Sequence, residues 1–407
     1  MPGGIVIVGA GHAGGILADA LRAQGHDGPI CLIGDEDALP YQRPPLSKGY
    51  LLGEVSTEQL HLRPADFYAA KEIELVRGVR VTAIDRADKQ VRLSTGTARA
   101  YESLVLATGA RPRLLDVPGA NLGGIHALRT LADVDAIRAE MESASSCAVI
   151  GGGFIGLEIA AVFSKIGKSV TVIEAADRLM GRAVSPAVSD FFLRLHRAHD
   201  SIVHLSSGVT GFTGDGARLT GIETPQGTVP AELAIVGIGV VPNDALAREA
   251  DLPVDRGIVV DRAGRTADPA VFAIGDCCHA DHALYPDRVR LESVQNAVDQ
   301  AKLVANAVMG KPADYDVVPW FWSDQFDRKL QIAGLAQPGQ THQVYEDEAA
   351  GTLAVYHFDG ARLAAAETVN RARDHMSARR LIAADTPPDA AAVEAAGGDL
   401  MAVMKKS

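Results

Sequence analysis

Cysteine is scarce in this sequence of 407 residues: Cys31, Cys147, Cys277 and Cys278 are all there is. No two of them make a C-x-x-C pair and none joins a metal-ligand cluster, so a redox or zinc centre of that kind is excluded and no metal is expected. The thiols read as reduced packing residues, which fits a cytoplasmic protein. Positive charge is short as well. The 39 lysines and arginines face 51 acids, a net charge of −12, and that argues against general nucleic-acid binding. No apolar run is long and uninterrupted enough to span a bilayer. Residues 1–4 lead straight into a predicted strand, with no room for a charged segment and an apolar one before it. Neither a signal peptide nor membrane attachment is expected. What the chain does have is 47% hydrophobic residues, ample for packed cores, and a length that implies two or three domains.

Its organising stretch is AVIGGGFIGLEIAAVFSKIGKSVTVIE, residues 148–174. A short apolar run ending at Ile150 predicts a buried parallel strand. It feeds Gly151, Gly153 and Gly156 in GxGxxG spacing, then an apolar helix, then a second β-branched run closed by Glu174, 23 residues after Gly151. Dinucleotide binding needs that order. The first glycine permits the tight turn, the second lets backbone approach a pyrophosphate, the third lets helix pack on strand, and the acid takes a ribose 2′-hydroxyl. The same device stands at the N-terminus: a strand over 5–8, Gly9, Gly11 and Gly14, a helix, a strand over 30–33, and Asp35, 26 residues after Gly9. A helix N-terminus there offers free N–H groups and a positive dipole end to a phosphate. His12 in that loop reads as a spacer. The fingerprints lie 142 residues apart, too far for a solenoid period, so a nucleotide-binding domain has been duplicated.

Between and after them the chain reads as follows. PYQRPPLSKGYLLG (40–53) is a stiff loop carrying Arg43 and Lys48. Val81–Ala83 and Val91–Leu93 predict strands of a small antiparallel insertion. LVLATGARPR (104–113) predicts a strand ending in Thr108-Gly109, where the backbone crosses between nucleotide-binding units, and Leu131–Met141 predicts a helix. A strand over 233–236 ends in the flexible turn Gly237-Ile238-Gly239. VFAIGDCC (271–278) predicts a buried strand ending in Gly275-Asp276, an acid at the carboxyl end of a strand where a ligand hydroxyl is expected. Residues 293–309 predict an amphipathic helix capped by Ser293. From 316 the character changes: Trp320, Phe321 and Trp322 cluster, strands are expected over 330–333, 353–358 and 363–367, and a helix over 375–384. The Pro/Ala/Gly-rich stretch 385–399 is expected to pack loosely.

Together these residues resemble the FAD-dependent pyridine nucleotide oxidoreductases, through both fingerprints, Thr108-Gly109, Gly237-x-Gly239 and Gly275-Asp276. Within that superfamily the chain is similar over essentially its whole length to the NAD(P)H–ferredoxin reductases of bacterial oxygenase systems. That narrower likeness rests on RPPLSK (43–48), RLESVQNA (290–297) and PWFWSDQ (319–325). The resemblance implies an α/β fold of two Rossmann-like nucleotide-binding domains, glutathione-reductase-like, the second inserted in the first, plus a C-terminal α+β domain. The expected division is 1–112 with 241–317 for FAD, 113–240 for NAD(H), and 318–407 at the C-terminus.

It implies further that Asp35 takes the FAD ribose and Asp276 a ribityl hydroxyl. Arg43, Thr108, Gly109, Gly275, Ser293, Val294 and Trp322 would line the same cofactor. The family often carries Trp where Val294 stands, so an aromatic contact is lost there. The helix after Ser293 would point its positive end at the flavin N1–O2 edge. Glu174 would take the NADH ribose, Phe154 would cover the nicotinamide pocket, and Ile155, Arg182 and Gly239 would complete the NADH site. Lys48 and Glu158 match the family's Lys–Glu pair beside flavin N5, where each charge would offset the other's burial. The family's disulfide reductases carry a C-x4-C pair in the first helix, and its peroxidases a cysteine near RPPLSK. Neither is present, so electrons are expected to leave the flavin directly.

The expected function is therefore electron transfer from NADH through FAD, one electron at a time, to a two-iron two-sulfur ferredoxin serving an oxygenase. The alternatives are a rubredoxin reductase, an oxidoreductase of the apoptosis-inducing-factor type, or a nucleotide sensor without catalysis. Because the chain is itself acidic and small ferredoxins usually are, docking calls for a local basic patch. Arg371, Arg373, Arg379 and Arg380 are the candidates, with Arg290 extending it. A monomer or weak dimer is expected.

Overall fold

The run from Ile5 to Val8 is apolar at every position, as a strand covered on both faces must be. In the computed structural model, which describes residues 4–311 and 314–405, all four of these residues are buried. Of residues 1–4, expected to lead straight into this strand, 1–3 lie outside the described residues and Gly4 is the strand's first residue. The chain divides into two compact units. One comprises the residues up to Arg43, Val55–Arg111 and Val240–Val317; the other comprises Pro44–Glu54, Pro112–Gly239 and the residues from Val318 onward.

The first unit is built on a sheet in the order Ile73–Val76, Ile30–Ile33, Gly4–Val8, Ala98–Leu106, Gln90–Leu93 and Val81–Asp85, with Val271–Ala273 also pairing to Ala98–Leu106. Gly4–Val8 runs parallel to both of its neighbours. Its helices His12–Ala23 and Val294–Val308 pack together on this sheet, and Leu17, Leu21, Ala301 and Val304 are fully buried between them. Parallel strands with helices packed on the sheet are the doubly wound arrangement, whose ligands bind at the carboxyl ends of the strands.

The second unit repeats the pattern. Its sheet runs Ile202–His204, Ser169–Ile173, Ser146–Ile150, Leu233–Val236 and Ile125–Ala127, all parallel. A small antiparallel sheet of Gly211–Asp215, Arg218–Thr224 and Gly227–Pro230 follows. The C-terminal segment forms a separate five-stranded antiparallel sheet in the order Trp320–Gln325, Arg328–Ala333, Arg362–Val369, Thr352–Asp359 and Thr341–Asp347.

Helix Ala372–Ile382 and two shorter helices, Ala390–Ala395 and Leu400–Met404, pack in a core with Tyr356 and Phe358. The stretch 385–399 therefore does not pack loosely. Asp389 caps the Ala390–Ala395 helix through a hydrogen bond from Ala392 N, and Val393 is fully buried. Small residues cannot signal a core position by size, which is why composition misread this segment.

Trp320–Gln325 and Arg328–Ala333 are joined by a tight turn in which Phe326 adopts a positive φ of 56°, as a short hairpin loop demands. That conformation is costly for an aromatic residue. It is supported by His199, whose ring stacks on Phe326 with centroids 3.7 Å apart, and by Lys165 Nζ donating to the Phe326 carbonyl at 3.2 Å.

Candidate functional site

Within each fingerprint the glycines differ in the room they leave for a side chain. In the first unit a Cβ on Gly14 would lie 2.0 Å from the Gly9 carbonyl oxygen, so the helix sits directly on the turn. A Cβ on Gly11 would meet nothing within 4 Å. Gly11 precedes the first residue of the His12–Ala23 helix, and no side chain caps that end. The second unit is built alike. A Cβ on Gly156 would lie 2.2 Å from the Gly151 carbonyl oxygen, while at Gly153 the nearest atom is 4.0 Å away, and the helix Phe154–Lys165 again has no side-chain cap. An open approach over an uncapped helix N-terminus fits a pyrophosphate in both units.

Register aligns the two fingerprints residue by residue. Gly9 N donates to Ile33 O at 2.7 Å, and Gly151 N to Ile173 O at 2.8 Å. Glu174 therefore corresponds to Gly34, and Asp35 stands one position further on. Glu174 is held by two backbone N–H groups, Gly152 to Oε2 at 2.6 Å and Ala176 to Oε1 at 2.7 Å, and both oxygens keep a lone pair for a ribose hydroxyl. Asp35 is exposed, 3.4 Å from Arg80. The next residue, Glu36, accepts from Arg43 at 2.7 Å and from the Tyr41 hydroxyl at 2.6 Å.

Elsewhere in the first unit, Thr108-Gly109 is stapled by Asn243. The Thr108 hydroxyl donates to Asn243 O at 2.6 Å, Asn243 Nδ2 donates to Thr108 O at 2.9 Å, and Asn243 N donates to Gly109 O at 2.9 Å. Gly275 N donates to Gln300 Oε1 at 2.7 Å, which fixes the turn that presents Asp276. Ser293 caps its helix by accepting from Asn296 N at 3.1 Å, and Val294 is the first helical residue. His12 is pushed below the usual histidine range by burial, with Asp276 opposing and Arg43 adding to the shift, so it is a neutral imidazole at the head of its helix.

The second unit holds the expected pair. Lys48 Nζ lies 2.6 Å from Glu158 Oε2, with the lysine 24% and the glutamate 6% exposed. Glu158 comes from the Phe154–Lys165 helix. Lys48 directly follows the 3-10 turn Pro44–Ser47, whose Leu46 is fully buried. Phe154 packs on Phe321, ring centroids 4.6 Å apart. Ile155 is exposed, and Arg182 stands beside Gly239.

Residues 3–301 match the pyridine nucleotide-disulphide oxidoreductase family, and residues 320–404 match the reductase C-terminal family. The chain belongs to the pyridine nucleotide-disulphide oxidoreductase family. It is 48% identical to rhodocoxin reductase of Rhodococcus erythropolis, over 94% of this chain and 90% of that one. The structure resembles a ferredoxin reductase from Rhodopseudomonas palustris with a TM-score of 0.95 and 41% identity, covering 98% of both chains. It resembles the covalent putidaredoxin reductase–putidaredoxin complex with a TM-score of 0.95 and 39% identity, covering 99% of this chain and 98% of that one.

Within this family the thiols here are unsuited to redox work. All four cysteines are free and buried. Burial pushes the Cys31 thiol up to about 12, and raises Cys147, Cys277 and Cys278 as well. A thiol held protonated is not a nucleophile.

The C-terminal arginines divide. Arg371 is committed to the fold, donating to Asp374 Oδ2 at 2.7 Å and to Gly398 O at 2.9 Å. Arg379 lies over the Trp320 ring at 4.8 Å, and Trp322 is 5.5 Å from Trp320. Arg373 and Arg380 are exposed on the Ala372–Ile382 helix. Arg290 is paired with Glu292. Sequence reasoning missed Asn243 and Gln300, whose partners are remote in the chain. It also missed Ser47, Ser323 and Gln325, although all three lie inside RPPLSK (43–48) and PWFWSDQ (319–325), the motifs that carry the family likeness.

Proposed function

We propose that this chain is an NADH-dependent FAD reductase that delivers electrons to a small two-iron two-sulfur ferredoxin serving an oxygenase system. The observation that carries this reading is the pair of open, uncapped glycine cradles in a chain whose thiols are all buried and protonated. The FAD supplies hydride acceptance and single-electron release when bound, and the residues supply binding, orientation and charge. The first fingerprint, with Asp35, Arg43, Thr108, Gly109, Gly275, Asp276, Ser293, Val294 and Trp322, would hold FAD. The second, with Phe154, Ile155, Glu174, Arg182 and Gly239, would hold NADH. Lys48 and Glu158 would be the working pair beside the flavin ring. The three-domain division, a cytoplasmic location and a monomer or weak dimer belong to the same reading. Among the described residues, no helix is long and apolar enough to cross a membrane.

The test is direct. The purified protein should show a flavin spectrum that NADH bleaches without oxygen, and cytochrome c reduction should depend on added ferredoxin. Bleaching without any ferredoxin-dependent transfer would overturn the partner.

NADH is expected to be preferred to NADPH by about tenfold or more in kcat/KM, roughly 1.4 kcal/mol. Glu174 offers a carboxylate where NADPH carries a phosphate. Arg178 does not answer it, because its guanidinium donates to the carbonyls of Gly181 and Val184. Equal kcat/KM for the two coenzymes would remove this assignment.

For docking, Arg373 and Arg380 are the arginines to test, because both are exposed on the Ala372–Ile382 helix. Reversing both charges should raise the ferredoxin KM by about three- to tenfold and flatten its salt dependence, since exposed charges act mainly on encounter. Ferricyanide reduction should be unchanged. Unaltered ferredoxin kinetics would move the docking patch elsewhere.

A further inference from the structure

Behind Glu158 lies a line of buried polar groups that the Lys48 pair does not require. Glu158 Oε2 accepts from Lys48 Nζ and, at 2.6 Å, from Ser47 Oγ. Its other oxygen, Oε1, accepts from Ser323 Oγ at 2.8 Å. Two residues along the same strand, and so on the same face, Gln325 Nε2 donates to Ser323 Oγ at 3.2 Å. Gln325 Oε1 in turn lies 2.9 Å from His196 Nε2, on the Pro186–Ala198 helix. Ser323, Gln325 and His196 are each fully buried. Met180 Sδ is near Gln325 Nε2, and the rings of Phe326 and His199 face this end of the line.

Proton positions along the line follow from donor and acceptor capacity. Burial pushes His196 down to about 4, so it is neutral near pH 7 and carries one ring proton. The Gln325 oxygen facing Nε2 can only accept, so that proton is on Nε2. His196 Nδ1 is then a bare acceptor, and among the described residues it is buried without a hydrogen-bond partner. With its oxygen turned to His196, Gln325 must present its amide N–H to Ser323. The serine oxygen receives that bond, and its own hydrogen is directed to Glu158. Every link therefore donates toward the same carboxylate. A tautomer at His196 decides which way the Ser323 hydroxyl points two links away.

We propose that Ser323, Gln325 and His196 are positioning residues that act through Glu158, fixing its carboxylate and thereby the place of the Lys48 ammonium. The proposal rests on the reading of Lys48 and Glu158 as the working pair. A serine hydroxyl without Gln325 is free to rotate away, leaving Oε1 without that donor inside the protein, and an unsatisfied buried acceptor is costly. Lining the same space with apolar groups would be cheaper than three consecutive buried polar ones. Their convergence on the single acid that pairs with Lys48 is what the geometry explains.

The experiment combines two readouts on the FAD-loaded protein. Nitrogen-15 NMR of histidine-labelled wild-type protein should show His196 as the Nε2–H tautomer, with shifts constant from about pH 8 to 5, a range above its depressed titration. Its Nε2 signal should move in Ser323→Ala and in Glu158→Gln. In anaerobic stopped-flow, Ser323→Ala should slow flavin reduction by NADH about tenfold with the NADH half-saturation changed less than about twofold, as loss of one buried donor predicts. Gln325→Leu, which removes the donor to the serine, should match it. Placed in the Glu158→Gln background, Ser323→Ala should add nothing.

An Nδ1–H tautomer in the wild-type protein would overturn the direction of the chain. Additive effects of Ser323→Ala and Glu158→Gln would overturn its action through Glu158. If instead Lys48→Ala and Glu158→Gln leave reduction unchanged, the reading of the pair falls, and the NMR signals still decide the donor chain.

Discussion

Lys48→Ala is expected to slow flavin reduction by NADH on the order of 10- to 100-fold while FAD stays bound. The lysine is the cation on a carboxylate that is 6% exposed, and their closest atoms are 2.6 Å apart. Among the described residues, removing it leaves Glu158 with the Ser47 and Ser323 hydroxyls, which satisfy hydrogen bonding but not charge. An uncompensated buried charge costs about 3–5 kcal/mol in the least favourable cases. The lysine's partial exposure admits water to the gap and lowers that figure. Glu158→Gln should cost less stability than Lys48→Ala, because the amide keeps the volume and removes the buried charge together with its need. Stopped-flow flavin reduction checks the rate, and the flavin spectrum after gel filtration checks retention. A variant that reduces its flavin at the parental rate would make the pair purely structural.

Gly11→Ala and Gly14→Ala should fail in opposite ways, although both lie in one motif. The Gly11 backbone, at φ −82° and ψ −161°, is extended and open to any residue, and a Cβ there meets nothing within 4 Å. The apoprotein should therefore keep its stability within about 0.5 kcal/mol. If the open space is where a pyrophosphate approaches the helix, the added methyl collides with ligand rather than protein. FAD affinity should then fall about 10- to 100-fold, the equivalent of roughly 1–3 kcal/mol of overpacking.

At Gly14 the new methyl would sit 2.0 Å from the Gly9 carbonyl oxygen. The helix must lift off the turn, and both apo- and holoprotein should lose about 1–3 kcal/mol or more. Flavin titration of apoprotein, with thermal melts of each form, separates the two outcomes. Gly11→Ala protein that binds FAD with parental affinity would show that the cradle does not hold the pyrophosphate.

What could be read from the sequence is what is local in it. Strand, glycine turn, helix, strand and acid follow one another within some thirty residues. Hydrophobic period and glycine spacing therefore placed both strand–glycine turn–helix units, the Ser293 cap and the Leu131–Met141 helix without any tertiary information. The Lys48–Glu158 pair was reached only through family resemblance, because nothing in the spacing of two residues 110 apart announces contact. The one-residue offset of Asp35 from the place of Glu174 also escaped. Counting from the glycine does not fix such an offset, whereas the register of paired strands does.

Tertiary structure alone decided the partners of polar side chains. Ser323 and Gln325 alternate with Trp322 and Asp324, so their shared face was legible, but that face turns to Glu158 and His196 only once strand and helices pack. Arg371 and Arg380 are alike as sequence, and only the fold ties the first to Asp374 and leaves the second exposed. Apolar residues report burial by their kind. A polar residue reports nothing until its partner is in place, because burial is tolerable only where a distant segment completes the hydrogen bond.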